Sequence, residues 1–263
     1  MRICLSAVEL FLSYLAGENK AEEVLAHPAY VAVNAHAKLI HGREYNPHDL
    51  DQAVAGADSP FFGLRDVRER LPQIQSVLEH IHINRTTWES LIETQLAKFV
   101  PDRLLRDITI YPTIGYDVGI GLNGTVSMNI NWPWYFSAPQ EFLSLSIHET
   151  FHVAYDRLHS LPSMDSLETI DNWLEFFFML VQNEGYAVYA PLALRQQDGW
   201  GNDETSPISK DYAVLGDELR RTEHIRIFMS LVDSLRTTPP NTREQYLELL
   251  FTDERLTYRV GAY

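Results

Sequence analysis

The chain has a single cysteine, Cys4, among its 263 residues. That excludes an internal disulfide and any Cys-x-x-Cys zinc site. One unpaired thiol fits a reducing compartment, so a cytoplasmic location is expected over secretion. Positive charge is also scarce. Lys and Arg number 21 against 36 Asp and Glu, a net charge of −15 with His neutral. Such a surface repels phosphate backbones and anionic lipid, which argues against nucleic acid and membrane surfaces as partners. No block of like charge stands out, so the acidity is spread over a solvated surface. Long apolar runs are missing too. Spanning a bilayer takes ~20 apolar residues, and no stretch approaches that. Residues 1–16 carry Glu9 where a signal peptide needs an unbroken apolar core, so they read as an amphipathic helix. The apolar run 176–181 is short and flanked by Glu175 and Gln182. Internal repeats and low-complexity linkers are absent.

What remains is a globular composition, 45% hydrophobic and 22% charged. A chain of this length buries a core without staples, so a metal site in it serves function before folding. Residues 1–100 read as a helical N-terminal region. A helical pattern over 21–39 is interrupted at Pro28. The stretch 41–60, with Asn46-Pro47 and Ser59-Pro60, reads as turns. Amphipathic helices are expected at 64–78 and 87–99, with Thr86 or Thr87 as a cap. The pattern then changes, and 101–263 reads as a second region integrated with the first. Residues 107–113 look like a strand, and 116–132 like a hairpin turning at Asn123-Gly124. In its second arm Val126, Met128 and Ile130 alternate with Ser127, Asn129 and Asn131, which predicts one buried and one open polar face. Ser137 with Gln140 and Pro139 looks like the start of a helix running to about 159. An apolar helix is expected over 171–189, a polar loop over 195–209 and a helix over 211–235. Two last helices are expected at 242–250 and 253–263, each opened by a capping residue. The final helix reaches the last residue, as in a fragment lacking a C-terminal segment.

The chemistry lies in His148-Glu149-Thr150-Phe151-His152. Four-residue spacing on a helix puts both imidazoles on one face, a turn apart. Two ring nitrogens can then share one Zn²⁺, bound at ~2.0–2.1 Å. Glu149 projects near that face and can take a proton from a metal-bound water whose pKa has fallen to about 7. Ile147, Thr150, Phe151, Val153 and Ala154 are uncharged, as a buried helix requires. The polar strand before the motif suits pairing with an extended peptide, expected along 125–131. A catalytic zinc keeps three protein ligands and an open position. Leu158 stands where a third histidine would follow. Glu184, in Asn183-Glu184-Gly185, lies in a stretch with few charges, and a buried carboxylate needs a partner or a metal. Gly185 beside it allows two helices to approach closely.

HETFH followed on a later helix by NEG-x-A resembles the gluzincin type of zinc metallopeptidase, typified by thermolysin. It is most like uncharacterised bacterial families described as zinc-dependent proteases. The likeness covers roughly residues 126–190. It implies His148, His152 and Glu184 as zinc ligands, Glu149 as general base, and a peptide or protein substrate. The gap to the third ligand is longer than in thermolysin. Val188 stands where that pattern has an acidic residue supporting the first histidine. Several gluzincins stabilise the oxyanion with a Tyr or His from a downstream helix. Tyr258 is the candidate here, with Arg259 and His224 as rivals. Trp132, Trp134 and Tyr135 are candidates for a cleft wall.

The expected fold is α+β and predominantly helical, zincin-like, with a small sheet or hairpin packed on the active-site helix. The expected function is zinc-dependent peptide hydrolysis with one zinc per chain. Two alternatives stand beside it. A zincin scaffold can bind zinc without peptidase activity and act on a regulatory partner. Alternatively Glu149-x-x-His152 and Glu79-x-x-His82 would form the paired motifs of a di-iron helix bundle.

Overall fold

The computed structural model describes all residues except 60–62, 160–161, 163–165, 198–206, 239–242, 244, 252–254 and 263, and the side chains of 207–209. The architecture is α+β and mostly helical, with one small mixed sheet. Two compact units are present, Met1–Ala154 and Tyr155–Tyr263. No helix among the described residues is long and apolar enough to cross a membrane.

The first unit holds the sheet. Its strands are β1 (Arg2–Ile3), β2 (Thr109–Thr113), β3 (Gly119–Leu122) and β4 (Thr125–Asn129), ordered β1-β2-β4-β3. β4 runs parallel to β2 and antiparallel to β3, with Gly119 opposite Met128 and Leu122 opposite Thr125. The hairpin turn lies at Asn123-Gly124 as expected. Both residues are left-handed, φ 51° and 79°, the combination that matches the twist of paired strands. The polar face of β4 is not open. Ser127, Asn129 and Asn131 are all buried. Ser127 Oγ donates to Ala29 O at 3.0 Å, and Asn129 Oδ1 accepts from the Gly115 N–H at 2.9 Å. Because β4 lies between β2 and β3, both its edges are paired, and a peptide cannot add along 125–131. The alternation is that of a strand, but its polar side chains serve the backbone at Ala29 and in buried loops, not solvent.

Helices α1 (Ser6–Leu15), α2 (Ala21–Ala26), α3 (Pro28–His41), α4 (Pro47–Val54) and α5 (Leu71–Leu96) belong to this unit. Pro28 splits α2 from α3 by occupying the first turn of α3, while His27 Nδ1 accepts the Ala29 N–H at 3.2 Å. Asn46-Pro47 is a helix start and not a turn. Asn46 Oδ1 accepts the Asp49 N–H, and Pro47 takes a first-turn position that needs no N–H. The helices expected at 64–78 and 87–99 are largely one helix, α5, of 26 residues, so Thr86 and Thr87 are interior and not caps. Its apolar stripe, Ile74, Val77, Ile81, Trp88 and Ile92, carries the register through the polar middle. Ser137 does not start the motif helix. It ends a short helix, α6 (Pro133–Ser137), and donates to Trp134 O at 3.2 Å; α7 then runs Glu141–Leu158. The unit boundary falls inside α7.

The second unit is helical among its described residues: α8 (Ile170–Tyr189), α9 (Leu192–Gln197), α10 (Pro207–Gly216), α11 (Glu218–Thr237), α12 (Gln245–Phe251) and α13 (Leu256–Val260). Thr169 and Asn172 form a reciprocal capping box that starts α8. The core joins Trp173, Phe177 and Val181 of α8 to Phe228, Val232 and Leu235 of α11, with Leu250 and Leu256. The helix expected over 211–235 is two. Asp217 breaks it by accepting the N–H groups of Leu219 and Arg220, starting α11. Of the loop expected at 195–209, residues 195–197 belong to α9 and 207–209 to α10, while 198–206 lie outside the described residues. So do the caps expected at Thr242 and Asp253. Gly185 plays its expected part. A methyl group there would collide with the Gly261 backbone, and one on Gly261 with Val181 O. α8 and α13 therefore cross backbone to backbone through two glycines.

Candidate metal centre

Helix α7 is buried nearly all round. Ile147, Thr150, Phe151, Val153 and Ala154 lie in the core, and His148, Glu149, His152 and Asp156 form a half-buried stripe. The stripe follows from spacings of one and four residues on a 3.6-residue turn. The His148 and His152 rings meet edge to face, with centroids 4.7 Å apart. Their Nε2 atoms are 3.0 Å apart. Two nitrogens bound tetrahedrally to zinc would stand about 3.3 Å apart. The pair is thus already aimed at a common point.

Glu149 is packed against the edge strand β3 in the same unit. A methyl group on Gly119 would stand 2.9 Å from Glu149 Cγ and 3.1 Å from its Oε1. One on Gly121 would strike the Glu149 carbonyl oxygen. The two glycines, alternate residues on one face of β3, let strand and helix touch at the predicted base. Sequence reasoning passed over them. The signal was present as Gly-x-Gly inside a strand, where glycine marks close backbone approach.

In the second unit Glu184 lies on α8 between buried Asn183 and Gly185, itself half-buried. Tyr155, in the last turns of α7, donates to Gln182 Oε1 at 2.9 Å. Burial raises the Tyr155 phenol above its ordinary value, helped by the charge of Asp156, so it remains a neutral donor. His148, His152 and Glu184 form a group whose ligand atoms all lie within 4.8 Å of one another, and this group could hold a metal ion. It is the one such group of His, Cys, Asp and Glu side chains among the described residues. Two imidazoles and a carboxylate suit zinc and other divalent transition metals.

The remaining candidates divide. Glu79 and His82 are exposed on α5 and belong to no group of potential ligands, so paired E-x-x-H motifs are not assembled. Arg259 and His224 are engaged with each other, Nη1 to Nε2 at 3.0 Å, and Arg259 Nε also bonds the buried Asp211 at 3.0 Å. Tyr258, half-buried on α13, carries the Arg255 guanidinium 3.9 Å over its ring and meets Phe251 edge to face. Tyr135 is core, while Trp132 and Trp134 are half-buried and in edge contact. His80 and His82 lie in the interior of α5.

Comparison with protein-family models, with curated proteins and with solved structures gives no match to this chain.

Proposed function

We propose that the protein is a zinc-dependent peptidase, with His148, His152 and Glu184 holding the metal and Glu149 acting as general base. The observation that supports this most is the convergence of those three side chains on α7 and α8, with Glu149 next to the first ligand. Bound zinc supplies a Lewis acid that polarises a carbonyl and makes water acidic at neutral pH. The protein's own part falls to two elements. Glu149 takes a proton from the attacking water and passes it to the leaving amine. β3 offers an extended peptide its unpaired edge, since among the described residues it pairs only with β4. Tyr258 remains the candidate for oxyanion stabilisation. Elemental analysis should find about one zinc per chain, absent from a His148→Ala/His152→Ala variant. Glu149→Gln should keep the zinc and lose hydrolysis of a mixed peptide library by at least ~100-fold. Full turnover by Glu149→Gln would sink the mechanism, and absence of zinc after reconstitution would sink the site.

A further inference from the structure

Beside Glu184, the second unit holds a buried carboxylate that two guanidiniums share. Asp211, 1% exposed, serves two guanidiniums. Arg255 donates to it from Nε at 3.0 Å and from Nη2 at 2.8 Å, and Arg259 from Nε at 3.0 Å. One carboxylate thus faces two guanidiniums, in a chain that is otherwise strongly acidic. Arg255 is also conformationally strained. It caps α13 with φ 45°, a left-handed conformation unusual for a side chain of its size. The bidentate bond to Asp211 and the stacking on Tyr258 hold it there. Such strain persists only where surrounding structure enforces it, and it gathers at functional sites.

The orientation is specific. Nε and Nη2 point at Asp211. Among the described residues Nη1 bonds to no protein group, and 28% of the side chain remains exposed. Burial works against the charge on Arg255. Asp211 outweighs that, with Tyr258 and Glu184 adding to it, so the guanidinium is held above its ordinary value. Among the described residues, Asp211 and Glu184 are the carboxylates that act on it. α13 is fixed next to Glu184 by the Gly185–Gly261 crossing.

We propose that Arg255 is a substrate-recognition residue that binds a carboxylate through its free Nη1 edge. This rests on the reading above, in which Glu184 is given over to the metal. With Glu184 so occupied, Arg255 has only a share of Asp211 as counter-charge and keeps its Nη1 unbonded, among the described residues, on a side chain that is 28% exposed. A planar fork of this kind favours carboxylate over amide. The carboxylate can come from the end of a peptide chain or from an acidic side chain, and both present the same two oxygens.

The test is a binding titration on zinc-loaded protein, followed by NMR, with three probes: N-acetyl-leucine, N-acetyl-leucinamide and N-acetyl-aspartic acid α-amide. At least one acid should bind ten-fold or more tightly than the neutral leucinamide. Preference for N-acetyl-leucine assigns a chain terminus, and preference for the aspartic probe assigns an acidic side chain. Arg255→Gln should bring the acids down to the amide. Arg255→Lys, which keeps the charge but not the fork, should retain a few-fold preference and guards against a folding defect in the first variant. Equal binding of acids and amide in the native protein overturns the proposal. So does no detectable binding of any probe, or an acid preference that survives in Arg255→Gln, since the carboxylate is then held elsewhere. Acid preference without peptide hydrolysis would leave the carboxylate site standing and remove the peptidase reading.

Discussion

The two units hold a strained residue in place by different means. In the first, Tyr116 has φ 76° beside left-handed Gly115, just upstream of β3. Aromatic rings and an amide hold it. Tyr116 Oη pairs with His36 Nδ1 at 2.9 Å, and Tyr45 and His41 meet its ring edge to face. Asn129 bonds the adjacent Gly115 N–H. Burial lowers His36 and raises Tyr116, so both stay uncharged at neutral pH. In the second unit Arg255 is held by an ion, the buried carboxylate of Asp211, which it shares with Arg259. Neutral networks hold geometry without leaving charge to spare. An ionic cluster in which one carboxylate serves two guanidiniums leaves Arg255 Nη1 unbonded, among the described residues, and able to act on something else. The units do share one device, a glycine pair that brings backbones together beside a site residue.

That shared device gives the largest expected effect. Gly185→Ala puts a methyl group into the Gly261 backbone, which cannot rotate away. Overpacking in cores costs roughly 1–3 kcal/mol and sometimes more, and the helix crossing should place this case at about 3 kcal/mol or above. Hydrogen exchange should show the loss in α8 and α13, with the amides of β2 and β4 keeping their protection. Equal loss in both would mean that the units unfold as one. Asp211→Asn comes next. It leaves two guanidiniums without their carboxylate, and breaking a fully buried pair costs about 3–5 kcal/mol. Arg255 is 28% exposed and Arg259 11%, so water relieves part of this, and roughly 2–3 kcal/mol is expected in urea unfolding. A negligible change would show that the cluster is not what holds Arg255 in its left-handed conformation.

Much of this contrast was legible in the sequence, and the rest was hidden for physical reasons. HETFH announced the ring pair because helix geometry fixes i, i+4 neighbours. Asn123-Gly124 announced the hairpin because few residues accept two left-handed positions. Thr169 and Asn172 cap α8 one residue ahead of the expected start. Strand order could not be read. β1 is only Arg2–Ile3, too short to show a period, and the place of β4 between β2 and β3 depends on pairing far along the chain. The turn signal Asn46-Pro47 was ambiguous because capping and turning use the same side-chain bond. Gly216-Asp217 was passed over inside a helical pattern. At the site, the candidate ligands His148, His152 and Glu184 stood out by chemistry. Arg255 did not, because its role depends on Asp211, 44 residues away.

The smallest stability effects belong to β3, and there the two glycines should separate. Gly121→Ala drives a methyl group into the Glu149 carbonyl oxygen, a backbone atom, so α7 or β3 must shift. About 2 kcal/mol of stability should be lost. Gly119→Ala meets side chains and no backbone: Glu149 at Cγ (2.9 Å) and Oε1 (3.1 Å), and Met128 at Sδ (3.1 Å). Its stability cost should stay below ~1 kcal/mol, because Glu149 can turn aside. That turn displaces the carboxylate that the proposed mechanism needs, and a misplacement of about 1 Å can cost on the order of 100-fold in rate. Urea midpoints and peptide turnover, measured on both variants, should therefore rank them in opposite order. If Gly119→Ala proves neutral in turnover as well as in stability, Glu149 does not act from its position against β3. The general base would then have to be sought elsewhere on the half-buried stripe of α7.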